Sequence, residues 1–249
     1  MIPVMLVPVL NGYDKLQKML DSIDYPIEHI IILDNGGKLK SLECKFAKEL
    51  SIINFPYNLG IATPYNIGIK LTPMAKYWLF AQNDIIWLPN GLEKIDKLSG
   101  SNVFGIDMDG IRPFACRTIG ENVVSKVGLL DESYFPAPGD DTNYHKRCHY
   151  YNIEEVNIGG TFLAENSSTI ISMLLDGSIS LSTWADNENR SFIGPPIDSG
   201  WNLSRRRKQG LHSRDDVVPK DLINKLLYSE HKVHNAFENA AFKLNNDRS

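Results

Sequence analysis

The sequence has little cysteine, no long apolar run and no excess of positive charge. Its three cysteines, Cys44, Cys116 and Cys148, are an odd number without a CxxC pair. That count argues against a disulfide scaffold or a cysteine-built zinc site and makes a reducing, cytoplasmic setting the expectation. No stretch approaches the roughly 18 apolar residues of a membrane-spanning helix. The apolar opening Met1–Leu10 has no cationic flank and carries two prolines, so it reads as a buried first strand, not a signal peptide. Lys and Arg total 26 against 30 Asp and Glu, a formal net charge of −4, which disfavours nucleic acid as a partner. GxGxxG, GxxxxGK[ST], GxSxG and HExxH are all missing, and none of the six histidines is read as a metal ligand from spacing alone.

Short apolar runs alternate with helical stretches through the first hundred residues. Val4–Leu10, His29–Leu33, Ser51–Phe55 and Tyr77–Ala81 read as strands. Between and after them, Leu16, Met19, Leu20 and Ile23 recur at helical spacing. Leu39–Leu50, Ile61–Leu71 (with Pro64 in its first turn) and 90–98 also read as helices. Strands joined by helices imply βαβ units, a mostly parallel central sheet and helices on both faces: an α/β sandwich. Each strand ends in a polar cluster, namely Asn11-Gly12, Asp34-Asn35, Asn58-Leu59-Gly60 and Gln82-Asn83-Asp84. Open α/β sheets bind ligands beyond the carboxyl ends of their strands, so these clusters are expected along one rim.

Further on, Val103–Ile106 and Phe114–Ile119 read as strands. Asp140-Asp141-Thr142 opens a helix carrying Tyr144, Cys148 and Tyr151 on one face, with His145 and His149 on its surface, and Glu154–Ile158 reads as a late strand. Residues 1–165 form the core by this reading and 166–249 a C-terminal helical extension of the same domain. Asp186–Asp216, rich in Gly, Pro, Ser, Asn and Arg, reads as a long mobile loop. The apolar stripe Leu222, Leu226, Val233, Phe237, Ala240 and Leu244 is expected to pack on the core, with a homodimer or a membrane-surface contact as the alternative.

Several segments, taken in order, resemble the family-two-like glycosyltransferases of the GT-A fold. They are Val7-Pro8-Val9-Leu10-Asn11, Ile31-Ile32-Leu33-Asp34-Asn35-Gly36-Gly37, Asn58-Leu59-Gly60 followed by Asn66-Ile67-Gly68, Leu79–Asp84, Val127–Phe135 and Asp140–Arg147. The resemblance covers most of residues 4–158. It implies transfer of a sugar from a nucleoside diphosphate donor, a UDP-sugar first, to a hydroxyl of a glycan or other acceptor, with inversion and with Mn2+ or Mg2+ as cofactor.

The residues follow. Asp141, then Asp140, matches the acidic pair expected to hold the catalytic base, and Asp84 the metal ligand. Pro8, Leu10, Asn11, Asp34, Asn58, Gly60, Asn66, Gln82 and Asn83 line the nucleotide-sugar site. Asp34 is placed to accept an imide N–H of the base. Arg205, within Arg205-Arg206-Arg207-Lys208, would bring positive charge to the diphosphate, and His212 would complete the metal shell. Gln82 stands where the family usually has an acidic residue or Asn, and Asn143 replaces a residue that is usually acidic. That leaves the metal to Asp84 within its segment and keeps open a non-catalytic carbohydrate- or nucleotide-binding protein with the same fold. A simpler use exists for each residue: an Asx-turn for Asp34, helix caps for Asp140 and Asp141, and turn or cap roles for Asn58 and Asn66.

Overall fold

A computed structural model describes residues 1–110, 114–135 and 139–164. Nine strands and five helices appear among them. In chain order they are β1 (Ile2–Val9), α1 (Tyr13–Asp21), β2 (Ile27–Asp34), β3 (Ala47–Asn54), α2 (Ala62–Leu71), β4 (Tyr77–Ala81), β5 (Ile85–Trp87), α3 (Gly91–Leu98), β6 (Val103–Ile106), β7 (Cys116–Gly120), α4 (Glu121–Val127), α5 (Asp140–Tyr150), β8 (Glu154–Asn157) and β9 (Phe162–Ala164). Seven strands form one sheet in the order β3-β2-β1-β4-β7-β6-β8, and β5 pairs with β9 in a separate ribbon. Pairing is parallel from β3 through β4 and again between β6 and β8. Only β7 runs against both of its neighbours.

The strands are apolar on both faces because helices cover both. Side chains alternate along a strand, so β1 sends Val4 and Leu6 to one side and Met5, Val7 and Val9 to the other. β4 divides likewise into Trp78 and Phe80 against Tyr77, Leu79 and Ala81. The first set packs under α2, α4 and α5 through Tyr65, Ile69, Val123, Val127, Tyr144 and Cys148. The second packs under α1 and α3 through Leu16, Met19, Leu20, Leu92 and Ile95. α2 lies close on β1: a Cβ at Gly68 would come within 2.6 Å of the Leu6 side chain. Gly68→Ala is therefore expected to cost about 1–3 kcal/mol by overpacking. The measurement is urea unfolding, and an unchanged midpoint would show that Leu6 can yield.

Two departures from the sequence reading concern connections. The helix expected over Leu39–Leu50 does not form: residues 38–44 are irregular and β3 begins at Ala47. Leu39, Leu42 and Phe46 have helical spacing, but they pin this crossover onto the core as separate anchors. Asp34 holds its start by accepting the backbone N–H groups of Lys38 and Leu39 at 2.7 and 2.8 Å. The short elements β5, α4 and β9 also lie in stretches where no element was expected. The expected C-terminal helix and the loop 186–216 lie outside the described residues.

Candidate functional site

Strand order reverses at β1. The chain steps outward from β1 to β2 to β3, then returns through α2 to place β4 on the other flank of β1. β1 stays paired with β2 up to Val9 and Asp34, whereas its pairing with β4 ends at Leu6 and Phe80. The carboxyl ends of β1 and β4 therefore part, at the position where open α/β sheets form a ligand crevice. Pro8 lies just past the last β1–β4 pair and is half-buried. Leu10-Asn11-Gly12 forms one lip and Gln82-Asn83-Asp84 the other.

The rim clusters expected from sequence are joined by hydrogen bonds. Asn83 Nδ2 donates to the carbonyl of Asn11 at 2.9 Å and faces that of Gly12 at 3.3 Å, bridging the two lips. The Tyr13 hydroxyl lies 3.0 Å from Asp34 Oδ1 and 3.3 Å from the Leu10 carbonyl. Burial, with Asp34 beside it, pushes this phenol up to about 12. Asn35 donates from Nδ2 to Gly60 O at 2.7 Å and accepts Leu59 N–H at 3.1 Å, while its own N–H donates to Val9 O. These bonds tie β1, β2 and the 58–60 turn together.

Several expected ligand contacts turn out to be occupied by the protein itself. Asp34 is fully buried, and its carboxylate accepts Gly36 N–H, Lys38 N–H and Leu39 N–H besides facing the Tyr13 hydroxyl. These contacts take up the roughly four lone-pair sites of a carboxylate. Asn58 accepts the N–H of Gly60 in an Asx-turn, and Gly60 has φ +78°. Asn66 donates to Leu130 O and Glu132 Oε1 and accepts Leu130 N–H, clamping the 130–132 segment onto α2. Gln82 donates its backbone N–H to Ala115. Asp84 is 3% exposed at the start of β5. It offers one carboxylate, and among the described residues no set of three His, Cys, Asp or Glu side chains forms around it.

The α5 acids reach the same end of the sheet through a residue that sequence reasoning passed over. Arg117 pairs with Phe80 in the β4–β7 register, one residue from the end of β4. Its guanidinium lies 5.0 Å from the ring centre of Tyr65 and 5.1 Å from that of Phe80, and these two rings stack at 4.3 Å. Arg117 Nη2 lies 3.6 Å from Asp140 Oδ2, and both side chains are buried. Neither atom has a hydrogen-bond partner among the described residues. Burial first, and then the charge of Asp141, pushes the Asp140 carboxyl up to about 7, while Arg117 opposes the rise. The Tyr65 hydroxyl, 3.5 Å from Ala81 O, feels the charges of both Asp140 and Asp141. Asp141 is the accessible member of the pair: half-buried, with Oδ1 accepting Thr142 N–H at 2.6 Å.

Arg205 and His212 lie outside the described residues. Of the groups missed, Arg117 had a signal, the one charged residue inside its strand. Tyr13 had none beyond lying next to a polar cluster, and Asn35 stood inside the Asp34-Asn35 cluster without a role of its own.

The chain has an α/β fold built on a mostly parallel seven-stranded sheet. No family model matches it, and no curated protein matches it in sequence. Solved structures with a similar arrangement include a fragment of S. aureus TarS, at 13% identity and TM-score 0.48, covering 66% of this chain and 60% of that one. The same fragment in complex with UDP-GlcNAc has 12% identity and TM-score 0.45, covering 69% of this chain and 61% of that one. A Drosophila β1,4-galactosyltransferase 7 mutant in complex with manganese, UDP-Gal and xylobiose has 9% identity and TM-score 0.49, covering 81% and 82%. Likeness at this level assigns no residue a role, so the functional reading rests on the crevice itself.

Proposed function

We propose that this chain is a glycosyltransferase that moves a sugar from a nucleoside diphosphate donor to a hydroxyl acceptor, with inversion. A UDP-sugar is the first choice of donor and a dTDP-sugar the second; the acceptor is a glycan or another hydroxyl-bearing molecule. One observation carries the reading: the crevice at the β1/β4 reversal has Asp84 on one lip and, at the same end of the sheet, the α5 acid pair.

In this reading the nucleotide lies against Pro8, Leu10 and Asn11 and the turn that Asp34, Asn35 and Asn58 hold. Asp34 acts through that turn, since its oxygens are engaged within the protein. Asp141 takes the proton of the acceptor hydroxyl as its oxygen forms the new bond to the anomeric carbon. The bond from that carbon to the diphosphate oxygen breaks on the opposite face, which inverts the centre. Asp84 is a hard oxygen donor suited to Mg2+ or Mn2+, ions that fill the rest of their shell with substrate phosphates and water. When bound, such an ion neutralises the departing diphosphate. A single carboxylate suits an ion that arrives with the nucleotide better than a resident one. Arg205 and His212 remain part of this reading as further charge and a further ligand, and a cytoplasmic location as its setting.

The lone carboxylate is also what favours the second reading, a non-catalytic protein that binds carbohydrate or nucleotide in the same crevice. Calorimetry with UDP separates ligand from no ligand: binding is expected, and it should tighten with Mn2+. Absence of heat at millimolar UDP, with and without Mn2+, would overturn the nucleotide assignment.

A further inference from the structure

We infer that His145, His149 and Glu155 form a second metal site, selective for Zn2+, that clasps α5 to the edge of the sheet. His145 and His149 are one helical turn apart on α5, so their rings share a face, with centroids 4.4 Å apart. Glu155 comes from β8, the last strand of the seven. Its Oε1 lies 2.9 Å from His145 Nε2 and 3.4 Å from His149 Nε2, and one ligand atom from each residue falls within 4.8 Å of the others. Tetrahedral zinc, with bonds of about 2.0–2.1 Å to His and Glu, separates its ligands by roughly 3.3 Å. The observed spacing needs only small side-chain movements to meet that.

The close approach of His145 to Glu155 is not a hydrogen bond in its alignment. His145 Nε2 and Glu155 Oε1 are both buried atoms without a hydrogen-bond partner among the described residues. Two buried donor atoms facing each other in this way are open to a shared cation once they part by a few tenths of an ångström. The rings of Phe104 and Phe114 pack against His145, 5.9 and 5.6 Å away, and make that side dry. His149 is 63% exposed, which leaves an entry path and a fourth position for water. Two imidazoles and one carboxylate suit Zn2+ over Mg2+ or Mn2+. This donor set shares no residue with the Asp84 lip. A bound ion would tie α5, whose first residues are Asp140 and Asp141, to β8.

The test uses untagged full-length protein stripped with chelator and titrated with Zn2+ by calorimetry, alongside His149→Ala and Glu155→Gln. A single Zn2+ is expected to bind the wild type and raise its Tm, and each variant should weaken binding by roughly tenfold or more. Co2+ should give the intense visible absorption of a tetrahedral site in the wild type and lose it in His149→Ala. Equal Zn2+ affinity in wild type and His149→Ala would reduce the cluster to a histidine–glutamate ion pair and overturn the site. Asp84→Asn serves as a control that should leave the Zn2+ titration unchanged, and a loss of Zn2+ binding there would place the ion in the crevice instead. UDP binding is measured separately, so failure of the clasp leaves the nucleotide reading standing.

Discussion

Asp141→Asn is expected to leave UDP binding within a few-fold of wild type and to lower transfer by about 10²–10⁴-fold, the usual contribution of a positioned base. The substitution keeps shape and removes only the ability to take a proton. Asp141 is the half-buried member of the α5 pair, held in place by the 2.6 Å bond from Thr142 N–H and sitting at a helix N-terminus. Asp140 is the more buried of the two and its carboxylate faces Arg117, so Asp141 is the acid open to an acceptor hydroxyl. Steady-state transfer and UDP calorimetry on the same preparation decide the matter. Undiminished transfer would remove Asp141 as the base, whereas lost UDP binding would show that it works in ground-state recognition.

Arg117→Met is expected to give the largest loss of stability, about 3–5 kcal/mol near pH 8, because it leaves the Asp140 carboxylate buried without its counter-charge. The loss should shrink near pH 5, and the sign follows from Asp140. Burial lifts its carboxyl to about 7, above the ordinary aspartate range, so the native state holds the proton more tightly than the unfolded chain. That contribution is full below the unfolded-state range and fades as pH climbs through about 7. Removing Arg117 removes the charge that opposes the rise, which steepens the decline at higher pH. The double variant Arg117→Met/Asp140→Asn has neither member of this pair left, so its loss should be the same at both pH values. Urea unfolding at the two pH values measures this. An equal loss at both would show that Arg117 matters through its packing on Tyr65 and Phe80, not through charge.

The two experiments concern neighbouring residues that the sequence presents as interchangeable acids. Folding separates them: the first turn of α5 buries Asp140 against β7 and leaves Asp141 at the surface. A raised carboxyl beside a half-exposed one follows from that single turn.

Much of the sheet could be read directly from the chain. Tyr77–Ala81 and Val103–Ile106 are apolar runs bounded by turn signals, and they form strands at the expected residues. Pro64 in the first turn of α2 and the apolar spacing of α1 likewise carry their own structural instruction. The polar ends of β1, β2 and β4 were also local, and their convergence followed from parallel βαβ order.

Other features were not legible in the apolar periodicity. Leu39, Leu42 and Phe46 fit a helix until Asp34 captures the amides of Lys38 and Leu39, four and five residues on. Asn66 meets Leu130 and Glu132, and Arg117 meets Asp140, across separations that only the packed sheet closes. The composition and periodicity of this chain thus determined where its strands end and which polar residues stand there. The tertiary structure alone decided which of those side chains are spent holding turns and which face the crevice, because hydrogen-bond capacity is finite and only three-dimensional neighbours reveal who consumes it.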